Sequence, residues 1–254
     1  LQKRKLMNSV DYGAIVEARM GSSRLPGKSF MNLLGEPLIK RVIDRITCSK
    51  KLNKIVLATT KHKRDDILEE YCLKEGIECF RGSENNVLER VVMAAKFYSI
   101  INIVELHGDN PFLDGSIIDE AIIKYENLKC DYISNTIEKS YPMGLRVQVF
   151  STEALDNIYN TVNDPAVEEH VSNYFYENPD KYKIINMKAP LDINRPDIRL
   201  TVDTKEDFEF VKKIYKILIR KNLYPQFSIK KMIQIIEENN IPFVNKDIQT
   251  KPLR

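Results

Sequence analysis

The first half of the chain alternates short apolar runs with stretches of helical periodicity. The predicted strands are 13–18, 54–59, 77–80 and 103–106. The predicted helices between them are 38–47, 65–75 and 87–98. Strands that alternate with helices form βαβ units, because a crossover helix returns the chain to the edge of the sheet where the previous strand began. We therefore predict an α/β fold with a mainly parallel central sheet.

The second half has a different pattern. Its predicted strands, spaced irregularly and separated by prolines, are 132–135, 144–150 and 183–187. A further strand at 199–202 and a long helix at 204–218 follow. We interpret about 130–198 as an inserted antiparallel subregion. At 254 residues the chain has the length of one large domain, which we expect to cover residues 8–254.

Charge and hydropathy exclude several classes of function. The 39 Lys and Arg residues nearly balance 36 Asp and Glu residues, and the clearest basic cluster lies in one loop, which argues against a nucleic-acid-binding protein. The sequence has no apolar run of about 18 residues, and residues 1–6 lack the apolar core of a signal peptide. The four cysteines have no metal-site spacing. We expect a cytoplasmic protein without membrane insertion.

The loop directly after the first predicted strand carries the strongest functional signal. It reads A-R-M-G-S-S-R-L-P-G-K over 18–28 and contains three cations, two glycines and two serines, namely Arg19, Arg24, Lys28, Gly21, Gly27, Ser22 and Ser23. Fixed cations and backbone N–H groups together are what a triphosphate needs. The spacing of the glycines differs from that of a Walker P-loop. A flexible turn with solvated charges is the alternative.

Two aspartates follow predicted strands. Asp109 lies in the segment H-G-D-N-P after the strand at 103–106, and Asp203 ends the strand at 199–202. An aspartate at such a boundary commonly caps a helix or stabilises a turn. Because ligands of open α/β sheets bind beyond the carboxyl ends of the strands, both carboxylates are also candidates for a site.

Several motifs in the same order resemble those of cytidylyltransferases that activate acidic sugars. Besides 18–28, they are G-E-P-L with R-V-I-D-R at 35–45, R-G-S-E-N-N-V-L-E-R at 81–90, G-D-N-P-F at 108–112, Y-P-M-G-L at 141–145, E-H-V at 169–171 and R-L-T-V-D-T at 199–204. In combination they resemble above all the SpsF-like group of spore-coat polysaccharide biosynthesis, which is related to CMP-Kdo and CMP-sialic acid synthetases. The resemblance implies a Rossmann-like nucleotidyltransferase fold.

The resemblance also implies roles for individual residues. The catalytic residues would be Arg19, Arg24, Lys28 and Asp109, and the carboxylates of Asp109 and Asp203 would hold Mg²⁺. The residues implied to bind CTP are Ala18, Arg19, Met20, Gly21, Ser22, Ser23, Lys28, Arg81, Ser83 and Arg90. For Arg90 a solvated charge on a helix is the alternative.

An acidic sugar is the implied acceptor, and a homodimer that pairs through the inserted subregion is the implied assembly. A place in the ordinary core is the alternative for the residues that could supply the apolar contacts of this dimer, which are Tyr132, Tyr141, Val147, Val149, Tyr174, Phe175 and Tyr176. The acceptor would contact Tyr141, Gly144, Arg146, Glu169, His170 and Arg199. The sequence departs from the SpsF-like pattern here, because that pattern has acidic residues near Arg146 and Gln148 and a basic one near Glu168. This departure predicts a different acceptor, for which more negative charge is one possibility.

Two alternatives stay open. The chain could use another nucleoside triphosphate, such as UTP, GTP or deoxythymidine triphosphate, with a sugar phosphate or other phosphorylated acceptor. It could also be a non-catalytic partner that retains a nucleotide-binding fold.

Overall fold

The computed structural model describes residues 9–243, and its main feature is a seven-stranded sheet. The strands of this sheet are β1 (Val10–Glu17), β4 (Lys54–Thr60), β5 (Glu78–Gly82), β6 (Ile100–His107), β7 (Tyr132–Ser134), β8 (Gln148–Ser151) and β9 (Ile184–Asn186). A separate small hairpin consists of β2 (Asn32–Leu33) and β3 (Glu36–Pro37).

The order of the strands is β5-β4-β1-β6-β8-β7-β9. All neighbours in the sheet run parallel except β8, which is antiparallel to both β6 and β7. The chain first adds β4 and β5 on one side of β1 and then returns to place β6 on the other side. The order therefore reverses between β1 and β6, which is where open α/β sheets form a ligand crevice.

Helices cover both faces of the sheet. They are α1 (Leu38–Ile46), α2 (Asp66–Glu75), α3 (Val87–Phe97), α4 (Gly115–Leu128), α5 (Thr152–Thr161), α6 (Pro165–Glu169), α7 (Asn173–Glu177), α8 (Lys205–Arg220) and α9 (Ile229–Glu238). Short 3₁₀ turns lie at Lys28–Phe30, Lys63–Asp65 and Leu191–Ile193. The apolar sides of α1, α4, α8 and α9 form one core, and those of α3 and α5 form a second core on the opposite face.

The predicted α/β class with a mainly parallel sheet is confirmed, and the structure corrects individual elements. The segment 199–202, predicted as a strand, makes one isolated bridge between Met143 and Arg199. Helices α4, α5, α6, α7 and α9 were not predicted. The third strand extends through Gly82, so Arg81 lies within β5 and not in the loop after it.

The predicted subregion at about 130–198 contributes its strands to the edge of the central sheet and contains α5, α6 and α7. Its antiparallel character resides in the single strand β8. Aromatic and β-branched residues considered for a dimer contact are instead buried within the chain, as for Tyr132, Val147, Val149 and Phe175. These side chains belong to the core.

Parts of the predicted domain 8–254 lie outside the described residues, namely position 8 and 244–254, as does the segment 1–6. Within 9–243, no helix is both long and apolar enough to cross a bilayer.

Candidate functional site

A cavity of about 310 Å³ opens at the carboxyl ends of β1 and β6, where the strand order reverses. It is lined mainly by polar residues of the segments that follow these strands. The lining residues are Glu17, Ala18, Arg19, Ser22, Ser23, Arg24, Lys28, Ser29, Val87, Arg90, His107, Gly108, Asp109, Arg146, Glu169, His170 and Asp203. The cavity thus joins the cationic loop to both predicted carboxylates.

The loop 18–28 is fixed to the end of β4 by a buried aspartate. Asp65 accepts a hydrogen bond from the Met20 N–H at 2.7 Å and another from the Thr60 hydroxyl. The loop closes on itself where the Gly27 N–H donates to the Met20 carbonyl at 2.9 Å, with Gly27 at a φ of +74°. Only glycine adopts this conformation readily, so Gly27 sets the direction in which Lys28 leaves the loop.

Lys28 bridges the two aspartates. Its Nζ lies 2.6 Å from Asp109 Oδ2 and 3.0 Å from Asp203 Oδ1, and it also donates to the Val202 carbonyl at 2.8 Å. The Val202 N–H donates to the Asp109 carbonyl at 2.9 Å, which holds the two carboxylate-bearing segments side by side. Arg24 adds an ion pair with Asp203 Oδ2 at 3.0 Å.

The charges in this cluster stabilise one another. Burial works to lower the pKa of Lys28, but the charges and hydrogen bonds of the two aspartates outweigh it and raise that pKa above its ordinary value. Burial works to raise the pKa of Asp203, yet its contacts with Lys28 and two arginines outweigh it and lower that pKa. The lysine is therefore an ammonium and Asp203 is a carboxylate over the ordinary pH range.

The start of α8 orients Asp203. Arg199 donates from Nη2 to Asp203 at 2.7 Å and from Nε to the buried Asp207 at 2.9 Å. Asp207 also accepts the N–H groups of Asp203 and Thr204, both at 2.9 Å, as part of a capping box at the helix N-terminus. Arg199 thus positions the carboxylate from outside the cavity.

The two carboxylates fit a divalent cation. A single ammonium group already contacts one oxygen of Asp109 and one of Asp203, so both oxygens can face the same cation. Mg²⁺ prefers one or two protein carboxylates with phosphate oxygens and water completing its coordination. These are the two residues that could hold the metal.

Behind the carboxylates lies a cluster of ionisable residues in which Arg90 and Glu105 are buried and Glu17, His107 and Arg146 are partly buried. Burial and the nearby charge of Glu17 raise the pKa of Glu105 well above its usual range, which favours its neutral carboxyl form. Burial lowers the pKa of His107, which keeps its imidazole neutral. Arg90 Nη2 lies 4.0 Å from Glu17 Oε2 and its Nη1 donates to the Ser83 carbonyl at 2.6 Å.

Of the residues implied to bind the nucleotide, those that line the cavity are Ala18, Arg19, Ser22, Ser23, Lys28 and Arg90. Met20 and Gly21 belong to the loop but not to the lining, and the Ser83 hydroxyl accepts the Asn86 N–H at 3.1 Å. Arg90 is only 3% exposed, so the alternative of a solvated helix charge is wrong.

Arg81 lies away from the cavity. Its guanidinium donates to the carbonyls of Thr60 and His62, both at 2.9 Å, and pairs with Asp66 at 2.6 Å and Glu69 at 2.8 Å. These contacts connect β5 to the turn after β4. Arg81 therefore has structural contacts, since its place in β5 directs its guanidinium to the turn after β4 and not to the cavity.

Some of the residues implied to bind the acceptor line the cavity, and others do not. Arg146, Glu169 and His170 line the cavity. Tyr141 is 6% exposed and packs in the core, and Arg199 acts through Asp203. Gly144, at a φ of +101°, packs so tightly that an added Cβ would lie 2.6 Å from the Thr201 nitrogen. Gly144 therefore allows the close approach of two backbone segments and does not line the cavity.

Sequence reasoning missed Glu17, Glu105, His107 and Asp207. Glu17 and His107 are the last residues of β1 and β6, so their position at strand ends was a usable signal. Glu105 looked like one charge within an apolar strand, and its contact with Glu17 depends on the pairing of β1 with β6. Asp207 resembled an ordinary first-turn acid.

Comparison with known proteins gives one family match, to the cytidylyltransferase family model, over residues 13–248. The spore coat polysaccharide biosynthesis protein SpsF of Bacillus subtilis is 34% identical over 230 residues, which cover 89% of this chain and 93% of that protein. A protein of Methanocaldococcus jannaschii, named "Uncharacterized protein MJ1063", is 34% identical over 241 residues, which cover 94% of this chain and 96% of that one.

Solved structures agree with the fold. A cytidylyltransferase from Leptospira borgpetersenii superposes with a TM-score of 0.84 at 30% identity, covering 95% of this chain and 99% of that one. The CMP:2-keto-3-deoxy-manno-octonic acid synthetase complexed with CTP superposes with a TM-score of 0.62 at 16% identity, covering 82% and 99%. At that identity the second likeness concerns the fold alone.

Proposed function

The chain belongs to the cytidylyltransferase family, and from that premise we propose that it transfers CMP from CTP to an acidic sugar with Mg²⁺ as cofactor. The acceptor would be a nonulosonic-acid-like or Kdo-like compound that feeds surface polysaccharide or glycan synthesis. The observation that carries the proposal is the convergence of Lys28, Asp109 and Asp203 in one cavity with the cationic loop.

The proposed reaction is an in-line displacement at the α-phosphorus. An acceptor hydroxyl oxygen forms the new O–P bond, the bond from the α-phosphorus to the bridging oxygen breaks, and pyrophosphate leaves with its charge. The hydroxyl proton passes to solvent or to a nearby base. Because charge develops on the phosphate oxygens, positioned cations are expected to supply most of the stabilisation.

The residues of the site have roles suited to that step. Arg19, Arg24 and Lys28 would bind the β- and γ-phosphates, and the backbone of the loop would add N–H donors. Asp109 and Asp203 would hold Mg²⁺, which supplies neutralising charge at the phosphate oxygens when bound. Once a cation and a triphosphate enter, Lys28 has to exchange its two carboxylate contacts for phosphate contacts.

The base would bind near Val87 and Arg90, at the start of α3. Arg90 is buried, and its Nε has no hydrogen-bond partner among the described residues, so it can meet an oxygen of a bound nucleotide.

The test is to incubate the protein with MgCl₂, one nucleoside triphosphate and a panel of acidic sugars, and to search for nucleotide conjugates by mass spectrometry. We expect a CMP conjugate of at least one acid, with pyrophosphate release, and much weaker turnover with UTP, GTP or deoxythymidine triphosphate. Success with a neutral sugar phosphate and failure with every acid would overturn the substrate class. Absence of binding to any nucleoside triphosphate would favour a non-catalytic partner.

A further inference from the structure

The cavity contains buried polar atoms that lack partners. Among the described residues, nine buried side-chain N or O atoms have no hydrogen-bond partner. Four of these nine belong to residues that line the cavity, namely Glu17 Oε1, Arg90 Nε, His107 Nε2 and Arg146 Nε. Buried polar groups are nearly always paired in folded proteins, so such a cluster indicates the place of a polar ligand.

The other buried arginines show what a satisfied guanidinium looks like in this fold. Arg45 donates from Nε to the Leu113 carbonyl at 2.8 Å and pairs with Asp114 at 3.0 Å. Arg199 donates from Nε to Asp207 at 2.9 Å. Within 9–243, Arg90 and Arg146 are the two arginines whose buried Nε lacks a partner, and both line the cavity.

Arg146 also has weak remaining contacts. Its Nη2 lies 3.3 Å from Gln148 Oε1 and 3.4 Å from Ser172 Oγ, both at the long end of hydrogen-bond distances. In the described part of the chain it forms no salt bridge with a carboxylate. Its other polar neighbours are Tyr132, Tyr176 and the carboxyl groups of Glu105 and Glu17.

The nearby carboxyl groups do not supply the missing anion. Glu105 accepts a hydrogen bond from Gln148 Nε2 at 3.0 Å, and burial and the charge of Glu17 raise its pKa, which disfavours its carboxylate form. Glu17 is the nearest carboxylate to Arg90. Among the described residues, neither the Arg90 nor the Arg146 guanidinium donates a hydrogen bond to a carboxylate, which leaves a site suited to an anion.

We propose that the Arg146 guanidinium binds the carboxylate of the acceptor, while Glu17 and His107 contact its hydroxyl groups. The acceptor is then a polyhydroxylated acid, and Arg146 is the residue that selects acids over neutral sugars. A planar fork of donors suits a carboxylate, and the unpaired Glu17 oxygen suits a hydroxyl donor. This inference rests on the proposed function and specifies its acceptor.

The experiment separates nucleotide binding from acceptor binding. The full chain and its variants Arg146→Gln and Arg146→Lys are titrated calorimetrically with a CTP analogue that has a methylene bridge between the α- and β-phosphorus atoms, in the presence of MgCl₂. The saturated protein is then titrated with 3-deoxy-manno-octulosonate or N-acetylneuraminate, with the methyl ester of each acid, and with a neutral sugar phosphate. Arg195→Gln is the control, since Arg195 pairs on the surface with Asp197 and Glu237.

We expect an acid to bind and its ester to bind at least about tenfold more weakly. Arg146→Gln should weaken acid binding about 10- to 100-fold, as loss of a charge-assisted contact does, and leave the Kd of the analogue within about twofold. Arg146→Lys should recover part of the affinity, and Arg195→Gln should match the wild type.

Three results would overturn the inference. The first is an ester that binds as well as its acid, and the second is a loaded protein that binds no acid or binds only the sugar phosphate. The third is an Arg146→Gln variant that loses affinity for the analogue but not for the acid. The last result would make Arg146 a nucleotide-binding residue. Failure of the analogue itself to bind would instead count against the proposed function, which keeps the two outcomes distinguishable.

Discussion

At the scale of single residues, Lys28 determines the state of the site. Its ammonium group occupies the space between Asp109 and Asp203, so the two carboxylates are kept close without a metal. The loop that carries Lys28 and the segment that carries Asp203 are far apart in sequence, and each contact of the lysine depends on the tertiary fold. Substitutions of these three residues give the sharpest tests of the site.

Replacing either aspartate removes half of the proposed metal site. Asp109→Asn and Asp203→Asn should each lower the rate of CMP transfer at least about 10³-fold, because the neutral amide neither balances Lys28 nor binds Mg²⁺ well. Steady-state pyrophosphate release measures the effect. The control is Asp192→Asn, an exposed aspartate paired with Lys230, which should retain full activity. Unchanged turnover in the Asp109 variant would contradict a metal role.

Removing the lysine should change metal binding in the absence of nucleotide. In Lys28→Met, two neighbouring carboxylates lose the cation between them, so their attraction for a divalent ion increases. We expect Mn²⁺ affinity without CTP to rise about tenfold or more, measured by electron paramagnetic resonance of free Mn²⁺, although CMP transfer falls. Lys124→Met, which removes an exposed lysine paired with Glu120, should leave Mn²⁺ binding unchanged. Equal affinities in all three proteins would show that Lys28 does not compete with the metal.

At the scale of elements, the site depends on how 141–145 and 198–203 pack together. The Met143 N–H donates to the Ile198 carbonyl at 2.9 Å, and the Leu200 N–H returns a bond to the Met143 carbonyl at 2.7 Å. Gly144 allows this close approach, and the second segment then continues to Asp203 and the capping box of α8. The position of one metal-site carboxylate is thus set by a backbone contact.

A methyl group at Gly144 should disturb this contact. In Gly144→Ala, the Cβ would meet the Thr201 nitrogen at 2.6 Å and the residue would keep a φ of +101°, so both crowding and backbone strain act. Gly35→Ala is the matched control, because Gly35 has a φ of +94° and no atom within 4 Å of the added Cβ. We expect the control to lose about 1–2 kcal/mol of unfolding free energy and Gly144→Ala clearly more, with reduced activity. Urea denaturation compares the two, and equal losses would contradict the crowding argument.

At the scale of the whole molecule, the central sheet carries buried ionisable groups across its middle strands. Glu17 of β1 and Glu105 of β6 meet through the pairing of these strands, and Gln148 of β8 extends the network. Because Glu105 is buried and the carboxyl group of Glu17 lies close to it, the pKa of Glu105 is raised in the folded chain. The stability of the entire fold therefore depends on pH through this position.

The direction of that dependence follows from linkage. The folded-state pKa of Glu105 is raised above its unfolded value, so its contribution to stability is present below about pH 4.5 and is lost as pH rises toward the folded-state pKa. The loss approaches about 1.4 kcal/mol per pH unit in that window. Glu105→Gln has no such proton and should gain stability relative to the wild type between pH 5 and pH 8, measured by urea denaturation. Parallel stability profiles would contradict a protonated Glu105.

The predicted homodimer remains a prediction about the whole molecule. Most of the apolar residues considered for its interface are core residues, but Leu191 is 95% exposed and Ile137 is 42% exposed in the same subregion. Light scattering after size exclusion should give twice the chain mass of 29.5 kDa. A protein that stays monomeric at all concentrations would contradict the predicted homodimer. If the dimer forms through this subregion, Leu191→Asp should weaken it in the same measurement.

Local pattern identified most of the elements of the sheet and its helices. β1 and β4 could be found because their apolar runs are buried on both faces, and α8 because of its long amphipathic repeat and first-turn acids. The helix α4 was missed although Asp114 caps it, and 199–202 was predicted as a strand from composition alone. That segment is buried like a central strand, yet its backbone hydrogen bonds go to single residues such as Met143 and Asp109 and not to a neighbouring strand.

The sequence by itself determined the α/β class and the cationic loop after β1, because these depend on local periodicity and on residue types at a strand end. The resemblance of its motifs added Asp109 and Asp203 as candidate metal ligands. Only the tertiary structure decided that Lys28 bridges the aspartates, that Arg81 supports a turn, and that the Arg146 Nε lies at the cavity without a hydrogen-bond partner in the described part of the chain. These features are distances between segments remote in the chain. Such distances are fixed by strand order and core packing. The sequence encodes both, but no local pattern of residues reveals them.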